Sequence, residues 1–200
     1  MASAISLLKA LKGFFVLKSA LKNNPSPSIV VGASGVFEQG WIPTDVHTLN
    51  LLKPERWKIF FKENSINAIL AEHVWEHLSP ADGKTAAKTC YQFLKKGGYA
   101  RIAVPDGYHN KPEYIDYVKP GGSGAGADDH KILYTYKSMT DAFREAGFEV
   151  RLLEYFDENG NFHYNEWDPA KGMIHRSKRF DERNANGELN YTSLIIDAVK

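Results

Sequence analysis

The chain has a single cysteine, almost no net charge and no long apolar run. Each shortage excludes something. With Cys90 alone among 200 residues, no disulfide can form within the chain, which points to a reducing compartment and a cytoplasmic protein. Cys90 also falls in a helical pattern, so it reads as a packed thiol. A formal charge of +1 gives no bulk electrostatic case for nucleic acid, and no basic-aromatic stripe appears outside 156–188. There are no internal repeats. Apolar residues Ile5, Leu7, Leu8, Leu11, Phe14, Phe15, Leu17 and Leu21 recur at roughly helical spacing, but Lys9, Lys12, Lys18 and Lys22 interrupt them and no acid accompanies them. A signal peptide needs an unbroken apolar centre and a membrane span needs a longer one. Residues 1–24 therefore predict an amphipathic helix packed on the domain, with peripheral contact to an anionic membrane as the sharper alternative.

What is present is an ordinary globular balance, 43% hydrophobic and 24% charged, in a length that suits one α/β domain over 25–200. Prolines 25 and 27 break the first helix. The run Ile29-Val30-Val31 predicts a buried strand, followed by strands over 41–46, 65–71, 99–104, 148–155 and 191–199. Ser79-Pro80-Ala81-Asp82 opens a helix running to about Leu94, and Lys95-Lys96-Gly97 suits its end. A second helix is expected from Ser138 to Ala146. Residues 107–130 read as irregular and as a candidate lid, and 156–188 as an insertion near the acceptor site. Alternating strands and helices imply a Rossmann-like, mostly parallel sheet of about seven strands, with helices on both faces and an antiparallel last strand.

Ligands of such sheets bind beyond the carboxyl ends of the strands. That rule selects the turns after Val31, Val46, Ala71 and Val104. Gly32-Ala33-Ser34-Gly35 is a small, flexible turn whose backbone can approach a ligand closely. Asp45 ends the second strand and can hold ribose hydroxyls. Only 13 residues separate it from Gly32, so the first crossover helix should be short or absent. Then comes Glu72-His73-Val74-Trp75-Glu76-His77. The span His73–His77 fits H-x-x-E-H, a zinc-peptidase pattern that needs a helix to bring both histidines to one face. A strand-like run ends at Ala71 and a new helix opens at Ser79, so no long helix is expected there, and no metal ligands are assigned.

Three stretches, in order, resemble the class I S-adenosylmethionine-dependent methyltransferases, most of all a compact bacterial group of predicted members. They are Val31–Gly35 with Gly40–Asp45, Asn64–Ile69 with Glu72–Leu78, and Leu94–Tyr99 with Arg101–Asp106. Ser34 stands where glycine is common in that family. The resemblance implies S-adenosylmethionine as cofactor, with Gly32, Ala33, Ser34 and Gly35 along its methionine part and Asp45 on its ribose. Asn50 and Leu51 match the adenine-contacting position, Trp41 and Val46 flank the same strand, and Glu72 and His73 close the site. The Asn-Pro-Pro-Tyr motif of base-methylating relatives is absent, which argues against nucleic acid.

The implied activity is methyl transfer to oxygen or nitrogen of a small-molecule or glycan-type acceptor. The alternatives are a zinc hydrolase using His73, Glu76 and His77, or a non-catalytic cofactor-binding member of the fold. A general base must reach the acceptor proton, and His73, His77, Asp106 and His109 stand near the predicted strand tips. His130 follows the glycine-rich loop. Arg176, in the basic half of 156–188, could pair an acceptor anion.

Overall fold

The computed structural model describes residues 4–35 and 37–200. Residues 1–3, and with them the start of the 1–24 segment, lie outside the described residues. One sheet of seven strands organises the chain: β1 (Ser28–Val30), β2 (Trp41–Pro43), β3 (Ile66–Glu72), β4 (Leu94–Pro105), β5 (Glu149–Phe156), β6 (Phe162–Tyr164) and β7 (Ser193–Val199). Their spatial order is β2-β1-β3-β4-β7-β5-β6. The first four are mutually parallel. β7 runs antiparallel between β4 and β5, and β6 closes the edge as a hairpin partner of β5. This is the Rossmann-like arrangement expected from the alternating pattern, with an antiparallel last strand. The three-residue β6, too short to show a periodicity, lies inside the expected insertion.

Among the described residues five α-helices accompany the sheet: α1 (Ala4–Leu21), α2 (Pro54–Trp57), α3 (Pro80–Phe93), α4 (Pro112–Val118) and α5 (Tyr136–Glu145). α3 starts where the sequence predicts, because the Ser79 hydroxyl accepts the Asp82 amide and donates to its carboxylate. Ala86, Ala87, Cys90 and Phe93 then recur on one face and enter the main core. β4 begins at once, at Leu94 rather than Tyr99, because Leu94 pairs with Ile66 before a register shift. α5 begins two residues earlier than Ser138, because Thr135 and Ser138 form a reciprocal capping box. The stretch 107–130 is less irregular than expected. Pro112 sets the first turn of α4, and Tyr114 and Val118 bury against Tyr191.

One face of the sheet carries the large core, with Trp57, Trp75, Phe93 and Phe143 essentially inaccessible. α1 adds Leu17 to it, while Leu8, Leu11, Phe15 and Val16 stay on the surface. Helices were expected on both faces. On the other face they shrink to single 3-10 turns at Pro169–Lys171 and Glu182–Asn184, within a strap over 165–192 that covers Val30, Leu70, Ala103 and Ile195 with Trp167, Ile174 and Phe180. Between β1 and β2 no helix forms among the described residues, as the Gly32–Asp45 spacing requires. Among the described residues, no helix is long and apolar enough to cross a membrane.

Candidate functional site

A cavity of about 510 Å³ opens at the carboxyl ends of β1, β3 and β4, a size typical of small-molecule sites. Its floor is the turn after β1. Gly32 has φ +66° and Ser34 φ +46°, a left-handed region that glycine enters freely and serine at some cost. Gly32 is also needed for space, since a Cβ there would lie 2.6 Å from Val74 Cγ2. Ala33 donates its amide to Thr44 O, while the amides of Gly32 and Ser34 reach no acceptor among the described residues. Such free N–H groups suit a carboxylate or other anion. Phe37 and Glu38 continue the wall beside them.

The next wall comes from the end of β3. The carboxylate of Glu72 accepts the backbone amides of His175 (3.1 Å) and Arg176 (2.7 Å). It thereby draws the strap over the cavity, where Met173, His175 and Arg176 line it. His73 follows with φ +55°. Its Nε2 lies 3.0 Å from Ser193 Oγ, and that hydroxyl donates to Arg176 O, so His73 Nε2 is the donor to Ser193. Its Nδ1 lies 2.9 Å from Glu76 Oε1, without the alignment of a hydrogen bond: both Glu76 oxygens are buried without a hydrogen-bond partner. Burial of Trp75 in the core and its bond from Nε1 to Gly83 O fix a single 3-10 turn over Trp75–His77. The zinc-peptidase pattern therefore has no α-helix to stand on. His77 and His130 meet edge to face, ring centroids 4.9 Å apart. His130 Nδ1 bonds Val118 O at 2.7 Å, and Tyr191 closes the far side. Burial pushes the Tyr191 hydroxyl up to about 12, which keeps it a neutral donor.

Of the residues predicted from sequence, Gly32, Ala33, Ser34, Glu72, His73, His77, His130 and Arg176 line this cavity together. The others do not. Gly35 is the next residue of the turn, outside the lining. Asp45 is exposed, and its Oδ1 accepts the amides of His47 and Thr48. Val46 is 61% exposed on the surface. Trp41 packs near Gly172 under the strap. Asn50 accepts the Leu52 amide and, through its carbonyl, Trp57 Nε1, while Leu51 is buried in the main core.

Asp106 is fully buried, with Tyr108 N on one oxygen and Phe156 N on the other. Desolvation nonetheless raises its carboxyl to about 6. His109 stacks on Tyr114, ring centroids 3.8 Å apart, and packs at a tilt against Phe156, and burial lowers it to about 4. Both hold the loop after β4 and stand outside the cavity. Sequence reasoning missed Glu38, Met173, His175, Tyr117 and Tyr191 as lining residues. The acidic Glu38 beside a glycine turn was the readable signal, whereas the others reach the cavity only through tertiary folding.

Comparison with known proteins agrees with this architecture. A family model described as a methyltransferase domain matches residues 41–102. No curated protein matches the chain by sequence. Among solved structures, a SAM-dependent methyltransferase from Archaeoglobus fulgidus is 13% identical, with a TM-score of 0.52 over 96% of this chain and 94% of that one. A SAM-dependent methyltransferase from Thermotoga maritima, described as a possible histamine N-methyltransferase, is 14% identical, with a TM-score of 0.53 over 98% of this chain and 91% of that one. At such identities the likeness is one of fold, and the fold is that of the class I methyltransferases.

Proposed function

We propose that this chain, with its class I methyltransferase fold and its methyltransferase-domain segment, binds S-adenosylmethionine and transfers the methyl group to oxygen or nitrogen of a small, anionic acceptor. The observation that carries the reading is the position of the cavity. It lies at the carboxyl ends of β1 and β3, with the free amides of Gly32 and Ser34 on one wall and the carboxylates of Glu38 and Glu72 close by. That donor set suits an amino-acid moiety, whose carboxylate takes the amides and whose ammonium takes the acids. In this reading Glu72 meets the ammonium, which leaves Glu38, lining the cavity where Asp45 does not, for the ribose.

The cofactor supplies an activated methyl group. The protein's share is orientation and exclusion of water. Glu72 fixes the strap by its two backbone bonds, so Met173 and His175 cap the cavity in a set position. Arg176 contributes its backbone to that clamp, while its side chain stays exposed at the mouth and can take an acceptor carboxylate or phosphate in bidentate fashion. Arg179 lies instead over the Phe180 ring, away from the cavity. His77 and His130 line the same cavity, and either imidazole can receive an acceptor proton where its nitrogen carries no metal ion.

Calorimetric titration with S-adenosylmethionine and S-adenosylhomocysteine tests the first step, and saturable one-to-one binding is expected. Absence of binding to both would replace the reading with a non-catalytic member of the fold. Release of S-adenosylhomocysteine against a panel of carboxylates, phosphates, amines and sugar hydroxyls then identifies the acceptor. Arg176→Ala should raise KM for an anionic acceptor about tenfold with little change in kcat, as loss of uniform binding does, and Arg179→Ala should change neither.

A further inference from the structure

We infer that Glu76, His77 and His130 form a divalent-metal site of the zinc class on the cavity wall. One donor atom from each lies within 4.8 Å of the others, and all three side chains line the cavity. Two imidazoles and one carboxylate are the mixed nitrogen and oxygen donors that zinc takes at sites with an open position.

Three observations separate this cluster from a chance gathering of polar groups. First, Glu76 is only 1% exposed, yet neither of its oxygens has a hydrogen-bond partner. A buried carboxylate in that condition is costly unless a cation or a donor meets it. His73 Nδ1 lies 2.9 Å from Glu76 Oε1, an ion pair only when that imidazole is protonated, and makes no hydrogen bond to it. Second, His130 gives its Nδ1 to the Val118 carbonyl at 2.7 Å. A carbonyl only accepts, so Nδ1 carries the proton and the Nε2 lone pair is left for a metal, which is the outer-shell orientation usual for metal-bound histidine. Third, His77 Nδ1 is likewise buried without a hydrogen-bond partner, 3.4 Å from Asp129 Oδ2.

The two segments are also fastened together by backbone. Lys131 N donates to Glu76 O at 2.7 Å, so the turn bearing Glu76 and His77 and the turn ending at His130 keep their spacing without help from the side chains. Gly126, at φ +83°, lets the second turn pass close to His77. Tetrahedral zinc with bonds near 2.1 Å holds its ligands about 3.4 Å apart, so loading draws the donors inward by about 1 Å. This donor set differs from the H-x-x-E-H pattern. His130 comes from a distant loop, and His73 is occupied with Ser193.

With three protein ligands, a zinc-class ion keeps a fourth position, here toward the cavity, for a donor atom of the acceptor. That use rests on the methyl-transfer reading above, whereas metal affinity does not depend on it. The test uses the full chain, stripped with a chelator and titrated calorimetrically with Zn²⁺, then with Co²⁺ as a visible probe of tetrahedral coordination. One ion per chain is expected. His77→Ala and His130→Ala should each weaken Zn²⁺ binding by about 100-fold or more, Glu76→Gln by about 10- to 100-fold, and His163→Ala, outside the cavity, not at all. Thermal melts check that each variant folds, and His130→Asn replaces any alanine variant that does not. Absence of saturable Zn²⁺ binding by the wild type, or wild-type affinity in the His77→Ala, His130→Ala double variant, overturns the site. A parallel titration with S-adenosylhomocysteine separates the two conclusions. Metal without cofactor binding defeats the methyl-transfer reading alone, and cofactor without metal binding defeats the metal site alone.

Discussion

The two faces of the sheet are covered by opposite means. On one, α3 and α5 lay Ala86, Cys90, Phe93, Met139 and Phe143 against β-strand residues in a continuous apolar core, and non-directional burial does the work. On the other, the strap has only two single turns of helix, and it is held by buried charges. Arg101 spends its guanidinium on both oxygens of Asp197 and on the carbonyls of Asp168 and Gly172. Glu154, fully buried, accepts from Trp167 Nε1, Lys178 N and Thr192 Oγ1. Glu72 does the same for His175 and Arg176. A segment with so little regular structure leaves part of its backbone unpaired, and carboxylate and guanidinium groups from the strands meet those groups. The same strands thus serve as a surface to pack on and as a set of fixed hydrogen-bonding groups.

The largest effect is expected at Arg101. Its side chain is 2% exposed and stacks 5.0 Å from the Trp167 ring. Arg101→Ala leaves Asp197 and two carbonyls uncompensated and should cost about 3–5 kcal/mol in urea unfolding. Replacing the pair together, Arg101→Met with Asp197→Leu, should recover the ionic part and leave a deficit of about 1–3 kcal/mol from the orphaned carbonyls. Full recovery would show that the strap is held by packing after all, and the contrast between the faces would collapse.

Glu154→Gln comes next. The carboxamide presents an NH₂ to one of the three donors, so one charged-acceptor bond is lost and one repulsion gained, about 1.5–3 kcal/mol. Hydrogen exchange locates the damage. Amides of 165–180 should exchange faster while those of α3 and α5 keep their protection. Uniform loss of protection would mean that both faces unfold as one unit.

The contrast also explains what was legible. Periodicity and caps reveal an apolar face, so α3, the central strands and the missing first crossover helix could be read from spacing. The Gly32 turn and Glu72 could be placed near a site by the strand-tip rule, and both line the cavity. Roles were harder to read than places. A carboxylate that clamps a backbone looks the same in sequence as one that meets a ligand, which is how Asp45 and Asp106 entered the candidate set and Glu38 did not. Trp41, Asn50 and Leu51 fit a motif whose local geometry is compressed here, and they are taken up by packing and turn bonds. His175 and Tyr191 reach the cavity from more than 100 residues beyond Glu72, a closeness no local pattern encodes.

Where the two covers meet, at the tips of β4 and β5, buried polar groups lack ionic partners, and a third, smaller effect follows. Asp106 is raised to about 6, from an unfolded value near 3.8, by desolvation. Its folded form holds the proton more tightly, so its contribution is complete below pH 3.8 and is lost as pH rises through 6. His109 is lowered to about 4, from near 6.5, also by desolvation, and its Nε2 has no partner. Its contribution is present above pH 6.5 and is lost as pH falls through 4. The signs oppose over nearly the same window, so the pair should add almost no pH dependence of its own. Single replacements expose each half. Between pH 6.5 and 4.5, thermal melts of Asp106→Asn should fall more steeply than wild type, because only the His109 loss remains. Melts of His109→Leu should fall less steeply, or rise, because only the Asp106 gain remains. Parallel slopes in all three proteins would mean that neither group is dry in solution, and the seam between the faces would then be open to water.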